Sequence, residues 1–234
     1  MTNSQDVAAT TSTSIHAQQG EAQPALVLVN LGTPTAPEPG PVRAFLCEFL
    51  SDRRVIEMSP LLWKPILEGI ILRVRPREVA AKYRSIWMEE GSPLMHYTRE
   101  QARRLGERLP GVRVEVAMRY GQPSIGSVLD RLNAEGVRRV AILPAYPQYA
   151  ASTVATINDA VASWIGRNRD GFELRLHRSF PAAPAYIEAL ATALERHWEQ
   201  VGRPNFLTGD RVVVSFHSIP VAMDEAGDPY RAEC

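Results

Sequence analysis

Cysteine is scarce in this sequence: 234 residues hold only two, Cys47 and Cys234, and they form no Cys-x-x-Cys pair. That excludes a disulfide framework and a thiolate-built zinc site, and it suits a reducing cytoplasm. Excess charge is lacking too, with 26 Lys plus Arg against 26 Asp plus Glu. A balanced chain has no electrostatic footprint for neutralising phosphates, so nucleic acid is excluded as a partner. There is no apolar run of about 18 residues, the length a membrane-spanning helix needs. Residues 1–24 have neither a basic start nor an apolar stretch and are rich in Ser, Thr, Gln and Ala. The expectation there is a disordered tail that neither exports nor anchors the chain. Also missing are G-x-G-x-x-G, G-x-x-x-x-G-K-S/T and any G-x-S-x-G elbow. Nucleotide binding and serine hydrolysis therefore lose their usual signals.

What is present is enough apolar material, 45% of residues, for the core of one domain or of one domain plus part of a second. Runs rich in Val, Ile and Leu predict buried strands at 25–31, 112–118, 137–143 and 211–216, with a weaker one at 172–177. Apolar residues at three- and four-residue spacing predict helices over 123–135, 153–167 and 184–201. Alternating strands and helices imply an α/β fold: parallel Rossmann-like sheets with helices on both faces and ligands beyond the strands' C-terminal ends. Residues 54–110 are too long for one crossover and read as an inserted pair or trio of helices, punctuated by Pro60, Pro65, Pro76 and Pro93. Within 60–74, Trp63, Ile66, Leu67, Ile70, Ile71 and Val74 share one helical face, which Leu61, Leu62 and Leu72 widen. That face is either core packing or an apolar lip for a ligand or a membrane surface. After the 211–216 run only a loop and the start of a helix remain, so the chain is expected to stop inside a second lobe.

Three segments carry candidate chemistry. Val29-Asn30-Leu31-Gly32-Thr33-Pro34 ends a strand in a Gly–Pro turn, where a ligand can approach the backbone or where the chain simply turns. The loop from Pro144 to Thr153 follows another strand. It offers Tyr146 and Tyr149 as flat walls with hydroxyl handles, and Ser152 or Thr153 to cap the next helix. Such a wall suits a large flat ring system, although a capped turn with structural aromatics would read the same way. His217, in Ser215-Phe216-His217-Ser218-Ile219-Pro220, is the one histidine of five at the C-terminal end of a strongly predicted strand. It is either structural or placed to move a proton or bind a transition metal.

In their order along the chain these segments resemble the ferrochelatase family. So do Tyr83-Arg84-Ser85-Ile86, Gly91-Ser92-Pro93, Met118-Arg119-Tyr120-Gly121 and Gly227-Asp228-Pro229-Tyr230. The resemblance runs from Ala25 to the last residue. It implies a two-lobed α/β protein that inserts Fe2+ into protoporphyrin IX or a related porphyrin, with a first lobe at 25–180 and the linking helix plus the start of a second at 181–234. It implies His217 as the active-site histidine and metal ligand, facing an acidic residue beyond Cys234. It further implies Leu31, Arg75, Tyr83, Arg119, Tyr146, Ser152 and Thr153 as porphyrin-binding residues, the arginines pairing with propionates.

Two consequences of the resemblance concern cofactors and partners. Family members with an iron–sulfur cluster carry a cysteine where this chain has Ala151, so no cluster and no permanently bound cofactor is expected, and iron is the substrate. A cytoplasmic location is expected, with peripheral membrane contact through the 60–74 lip. The competing readings are a cobalt or nickel chelatase for a more polar tetrapyrrole and a non-catalytic porphyrin-binding fragment.

Overall fold

The computed structural model describes residues 22–234, so the tail expected over 1–24 lies outside the described residues except for its last three. Of these, Ala22 already packs against the core, and the Pro24 carbonyl accepts from the Arg113 amide at 2.9 Å. The three described residues ahead of the first strand are thus tied to the core.

The fold is α/β. Strands β1 (Ala25–Gly32), β2 (Arg113–Tyr120), β3 (Arg139–Pro144) and β4 (Glu173–Leu176) form a parallel sheet in the order β2-β1-β3-β4. The helices are α1 (Pro39–Leu50), α2 (Pro60–Ile66), α3 (Leu72–Ile86), α4 (Pro93–Arg108), α5 (Ile125–Ala134), α6 (Thr156–Arg167), α7 (Pro184–Val201), α8 (Val221–Glu225) and α9 (Tyr230–Glu233). π-helical turns at Leu67–Ile71 and Ala151–Ala155 precede α3 and α6.

β1 is interior and buried on both faces, as its unbroken apolar run requires. Its Ala25, Val27 and Val29 join Ile125, Val128, Leu129 and Leu132 of α5 and Ile157, Val161 and Trp164 of α6 in one cluster. On the opposite face Asn30 donates its amide to Thr98 of α4 at 2.9 Å. Trp164 is 1% exposed, stacks on Phe172 at 4.9 Å and donates its indole N–H to Asp130 at 2.7 Å. The burial of its one polar atom is thus compensated. Truncating a leucine here, such as Leu129→Ala, costs about 2–5 kcal/mol because the close-packed cluster cannot collapse onto the void.

Four helices, α1, α2, α4 and α7, open with proline. Proline is tolerated there because the first-turn amides have no intrahelical acceptor. For the same reason Pro39-Gly40-Pro41, which reads as a breaker, starts a helix that periodicity alone does not announce. The helical insertion is present as expected, but its apolar face divides. Leu67 and Leu72 are buried, while Leu61, Leu62, Ile66, Ile70 and Val74 remain exposed, Leu61 at 87%. Core packing therefore accounts for only part of that face. Among the described residues no helix is long and apolar enough to cross a membrane.

The strand expected at 211–216 does not form. Residues 202–220 contain no strand or helix, and Val213 and Val214 are 85% and 72% exposed. Alternating apolar residues become a strand only when a neighbour supplies the ladder, and none of the four strands pairs with this segment. Helix α7 forms over the predicted span but has no buried residue, leaving Ile187, Leu190 and Val201 at least half exposed.

Candidate functional site

The sheet order places β2 and β3 on opposite sides of β1, so the crossovers diverge at the C-terminal end of β1, where open α/β sheets have their crevice. Leu31 stands at that point, held by a local turn in which Asn30 Oδ1 accepts its amide at 2.8 Å. Gly32 follows with φ +113°, and a Cβ there would fall 1.8 Å from the Tyr120 carbonyl oxygen, so only glycine lets β1 and β2 close up here. The next residue, Thr33, donates its buried hydroxyl to Ser92 at 2.8 Å, fastening the Gly-Thr-Pro turn to the Gly-Ser-Pro start of α4.

A cavity of about 360 Å³ opens beside Leu31. Phe49 forms part of its wall, as do Tyr146, Ser152 and Thr153 from the loop after β3, and His217 and Tyr230 from the C-terminal segment. Five of the eight site residues expected from the sequence therefore meet here: Leu31, Tyr146, Ser152, Thr153 and His217.

Behind Phe49 lies a charged layer. Phe49 meets Tyr120 edge-on at 5.1 Å, and the Tyr120 hydroxyl donates to Asp52 Oδ2 at 2.9 Å. Arg119 lies 4.4 Å above the Tyr120 ring, donates to Asp52 at 2.5 Å and gives its Nε–H to the Thr156 carbonyl at 2.8 Å. Arg119 is thus spent on internal partners and does not line the cavity. Burial pushes the Tyr120 phenol well above its ordinary value, so it stays a neutral donor to Asp52.

Tyr146 presents its ring to the cavity, while its hydroxyl oxygen is buried without a hydrogen-bond partner. Burial likewise raises that phenol far above the usual range. Tyr149, expected as a second wall, turns away: Arg178 lies 4.8 Å over its ring, and its amide donates to Glu233 at 2.7 Å. Nor do Ser152 and Thr153 cap the helix they begin. The N-cap position falls on Ala150, and the free amide of Ala151 donates instead to Asp228 Oδ2, 77 residues later, at 2.7 Å. The helix end still obtains an acceptor, but from a distant segment.

His217 is exposed, and its Nδ1 lies 2.7 Å from the Ser218 carbonyl. A carbonyl only accepts, so Nδ1 carries the hydrogen and Nε2 holds the lone pair of the neutral ring. Among the described residues no group of three or more His, Cys, Asp and Glu gathers as a metal site. Arg75 and Tyr83 lie on α3 and do not line this cavity. Arg75 is exposed, and Tyr83 packs edge-on against Trp87 at 6.2 Å.

Sequence reasoning missed Phe49, which sits on a helix masked by prolines, and Met223 and Tyr230, whose segment carries little periodicity. It also missed Asp52, Asp228 and Glu233, acidic residues that hold backbone amides or buried cations. Only Asp228 had a local signal, the Asp-Pro turn. Its Oδ1 accepts the Tyr230 amide at 3.0 Å.

A family model described as Ferrochelatase matches residues 23–234. The ferrochelatase of Methylibium petroleiphilum is 48% identical over 223 residues, covering 94% of this chain and 60% of its own length. That of Stenotrophomonas maltophilia is 46% identical over 210 residues, 90% of this chain and 64% of its own length. Ferrochelatase 1 of Shewanella oneidensis is 47% identical over 214 residues, 89% and 63% respectively. The chain spans 60–64% of the length of these curated relatives.

Proposed function

The chain belongs to the ferrochelatase family, and from that premise we propose that its cavity receives a porphyrin and that the protein inserts ferrous iron into it to form haem, a lyase reaction. The observation that carries this reading is the convergence of Leu31, Tyr146 and His217, drawn from three distant parts of the chain, on one largely apolar cavity. Flat apolar ligands are held by such walls with a few polar groups for orientation.

The chemistry sets the requirements. Protoporphyrin IX carries two pyrrole N–H protons, so binding Fe2+ through four nitrogens releases two H+ with no change in iron oxidation state. Iron must shed water as the protons leave. His217 Nε2, left with the lone pair by the Nδ1 hydrogen bond, accepts one of these protons or passes the metal on, and one lone pair cannot do both at once. Leu31 and Tyr146 supply apolar contact to the ring, and Ser152 and Thr153 border its edge. Arg75 and Tyr83 belong to this reading by family resemblance alone, at the margin of the ligand, and Arg119 supports the wall from behind.

The exposed Leu61, Leu62, Ile66, Ile70 and Val74 support peripheral contact with a membrane from the cytoplasmic side, the surface from which an apolar porphyrin would arrive. Ala151 in place of a thiolate supports a protein without an iron–sulfur cluster. A second reading, porphyrin binding without turnover, is favoured by one observation: among the described residues no Asp or Glu lines the cavity beside His217.

Titration of the chain with protoporphyrin IX, followed by Zn2+ or anaerobic Fe2+, tests both. Saturable binding with metalloporphyrin formation is expected. Binding without metal insertion selects the second reading, and absence of binding overturns both.

A further inference from the structure

Two walls of the cavity come from chain segments with no sheet or helix in common: the Tyr146–Thr153 loop and the His217–Tyr230 segment. The second wall has no ladder to hold it, since residues 202–220 are without regular structure. Two carboxylates of the C-terminal segment reach the loop, and one of them, Asp228, also grips a residue that lines the cavity. Asp228 Oδ2 accepts the Ala151 amide at 2.7 Å, and Asp228 Oδ1 accepts the Tyr230 amide at 3.0 Å. Ala151 adjoins Ser152 and Thr153, and Tyr230, like them, lines the cavity. Asp228 thus stands one residue from the lining Ser152 on the loop side and bonds the lining Tyr230 directly on the other.

We propose that Asp228 is a positioning residue that sets the width of the cavity by holding both walls through one carboxylate. The chemistry selects an anion for this place. Both donors are backbone N–H groups, so both side-chain atoms must accept, which carboxylate does and carboxamide cannot. Ala151 is also the first residue of a helical turn, where the aligned amides favour a negative charge. Glu233 adds a second tie to the same loop by accepting the Tyr149 amide at 2.7 Å, but its other partners, Arg178 and Ser179, are no part of the cavity wall, whereas Asp228 also holds the lining residue Tyr230. Glu233 therefore fastens the segment without setting the gap.

The proposal rests on the reading of the cavity as the porphyrin site, and its test separates the two. Asp228→Asn is nearly isosteric and turns one acceptor into a donor facing an N–H. Backbone amide exchange in the ligand-free 234-residue chain is expected to quicken at Ala151 and Tyr230 in this variant, with the α5–α6 core amides unchanged. Protoporphyrin IX affinity is expected to fall about tenfold, the effect of one charge-assisted hydrogen bond. The fluorescence anisotropy of the bound porphyrin, read at saturating protein, is expected to fall as well. Glu233→Gln serves as the comparison and should leave the anisotropy at the parent value. Unchanged exchange at Ala151 and Tyr230 overturns the clamp whether or not porphyrin binds. Quickened exchange with parent affinity and anisotropy overturns the positioning role. If the parent chain binds no porphyrin, the functional reading fails and the exchange rates alone decide the clamp.

Discussion

Arg119 Nη2 lies 2.5 Å from Asp52 Oδ2, with 18% and 9% of the two side chains exposed, so the pair is largely withdrawn from water. Asp52 also accepts the Tyr120 hydroxyl at 2.9 Å and the Arg54 amide at 2.8 Å. Removing the guanidinium leaves a buried carboxylate with neutral donors only. Arg119→Ala is expected to destabilise the fold by about 3 kcal/mol in urea denaturation, the scale for breaking one side of a buried pair. Porphyrin affinity, measured well below the melting temperature, should change less than threefold, about 0.6 kcal/mol. A loss confined to affinity would mean that Arg119 contacts the ligand instead.

His217→Ala should separate binding from chemistry. The imidazole is one small part of an apolar cavity, so protoporphyrin affinity should hold within about twofold while metal insertion falls at least about 100-fold. Zinc-porphyrin fluorescence is the readout, and equal insertion rates would remove the histidine from the mechanism.

Tyr146→Phe tests an orphaned group. A buried hydroxyl with no partner costs stability that phenylalanine avoids, so the melting temperature should stay level or rise, by up to about 1 kcal/mol in stability. A marked fall would reveal a partner for the hydroxyl.

Glu115 is gripped by Arg131 through two contacts of 2.8 and 3.0 Å and by Arg113 at 2.6 Å. The Arg131 hydrogen bonds outweigh the opposing effect of burial and, with those of Arg113, hold its carboxyl below the ordinary 4.5. A depressed carboxyl stabilises the fold above its unfolded value and loses that contribution as pH falls through its folded one. Glu115→Gln should cost about 1 kcal/mol at pH 7. The parent's advantage should shrink from about pH 5 downward and vanish once the folded carboxyl is protonated. Paired urea titrations across that range measure it, and a constant gap would contradict the ion-pair origin.

Much of this fold was legible because its elements bury whole faces. β1, β3 and α5 fall within two residues of their predicted limits, since an unbroken Val/Leu run or an i, i+3, i+4 stripe depends on the chain's own residues. The run at 211–216 carries the same local signal, yet a strand is a property of two segments and here the second is not beside it. Helix α1 failed in the other direction, because proline breaks a helix interior but not its first turn. At the site, Leu31, Tyr146 and His217 announced themselves by standing after apolar runs. Arg119 looked the same in sequence as a ligand-binding arginine, and only the position of Asp52, 67 residues earlier, turns it inward. The Asp228 clamp was legible only in its local half, the Asp-Pro turn, because the acceptor for a helix end is normally sought within the preceding few residues, not 77 residues downstream.

The register of β1 has a consequence for how the protein is made. Ala25 pairs with Arg113 on one side and Val140 on the other, so this strand leaves the ribosome ahead of both neighbours, which follow 88 and 115 residues later. At about 5–20 residues per second, the second neighbour follows after roughly 6–23 s. Throughout that interval Leu26-Val27-Leu28-Val29 is an apolar, β-prone segment with both edges open, the composition that holding chaperones bind and that nascent chains aggregate through. The earliest-synthesised strand of this sheet is thus among the last to be protected, and the protein's yield in a cell depends on what shields those few residues while the insertion is translated.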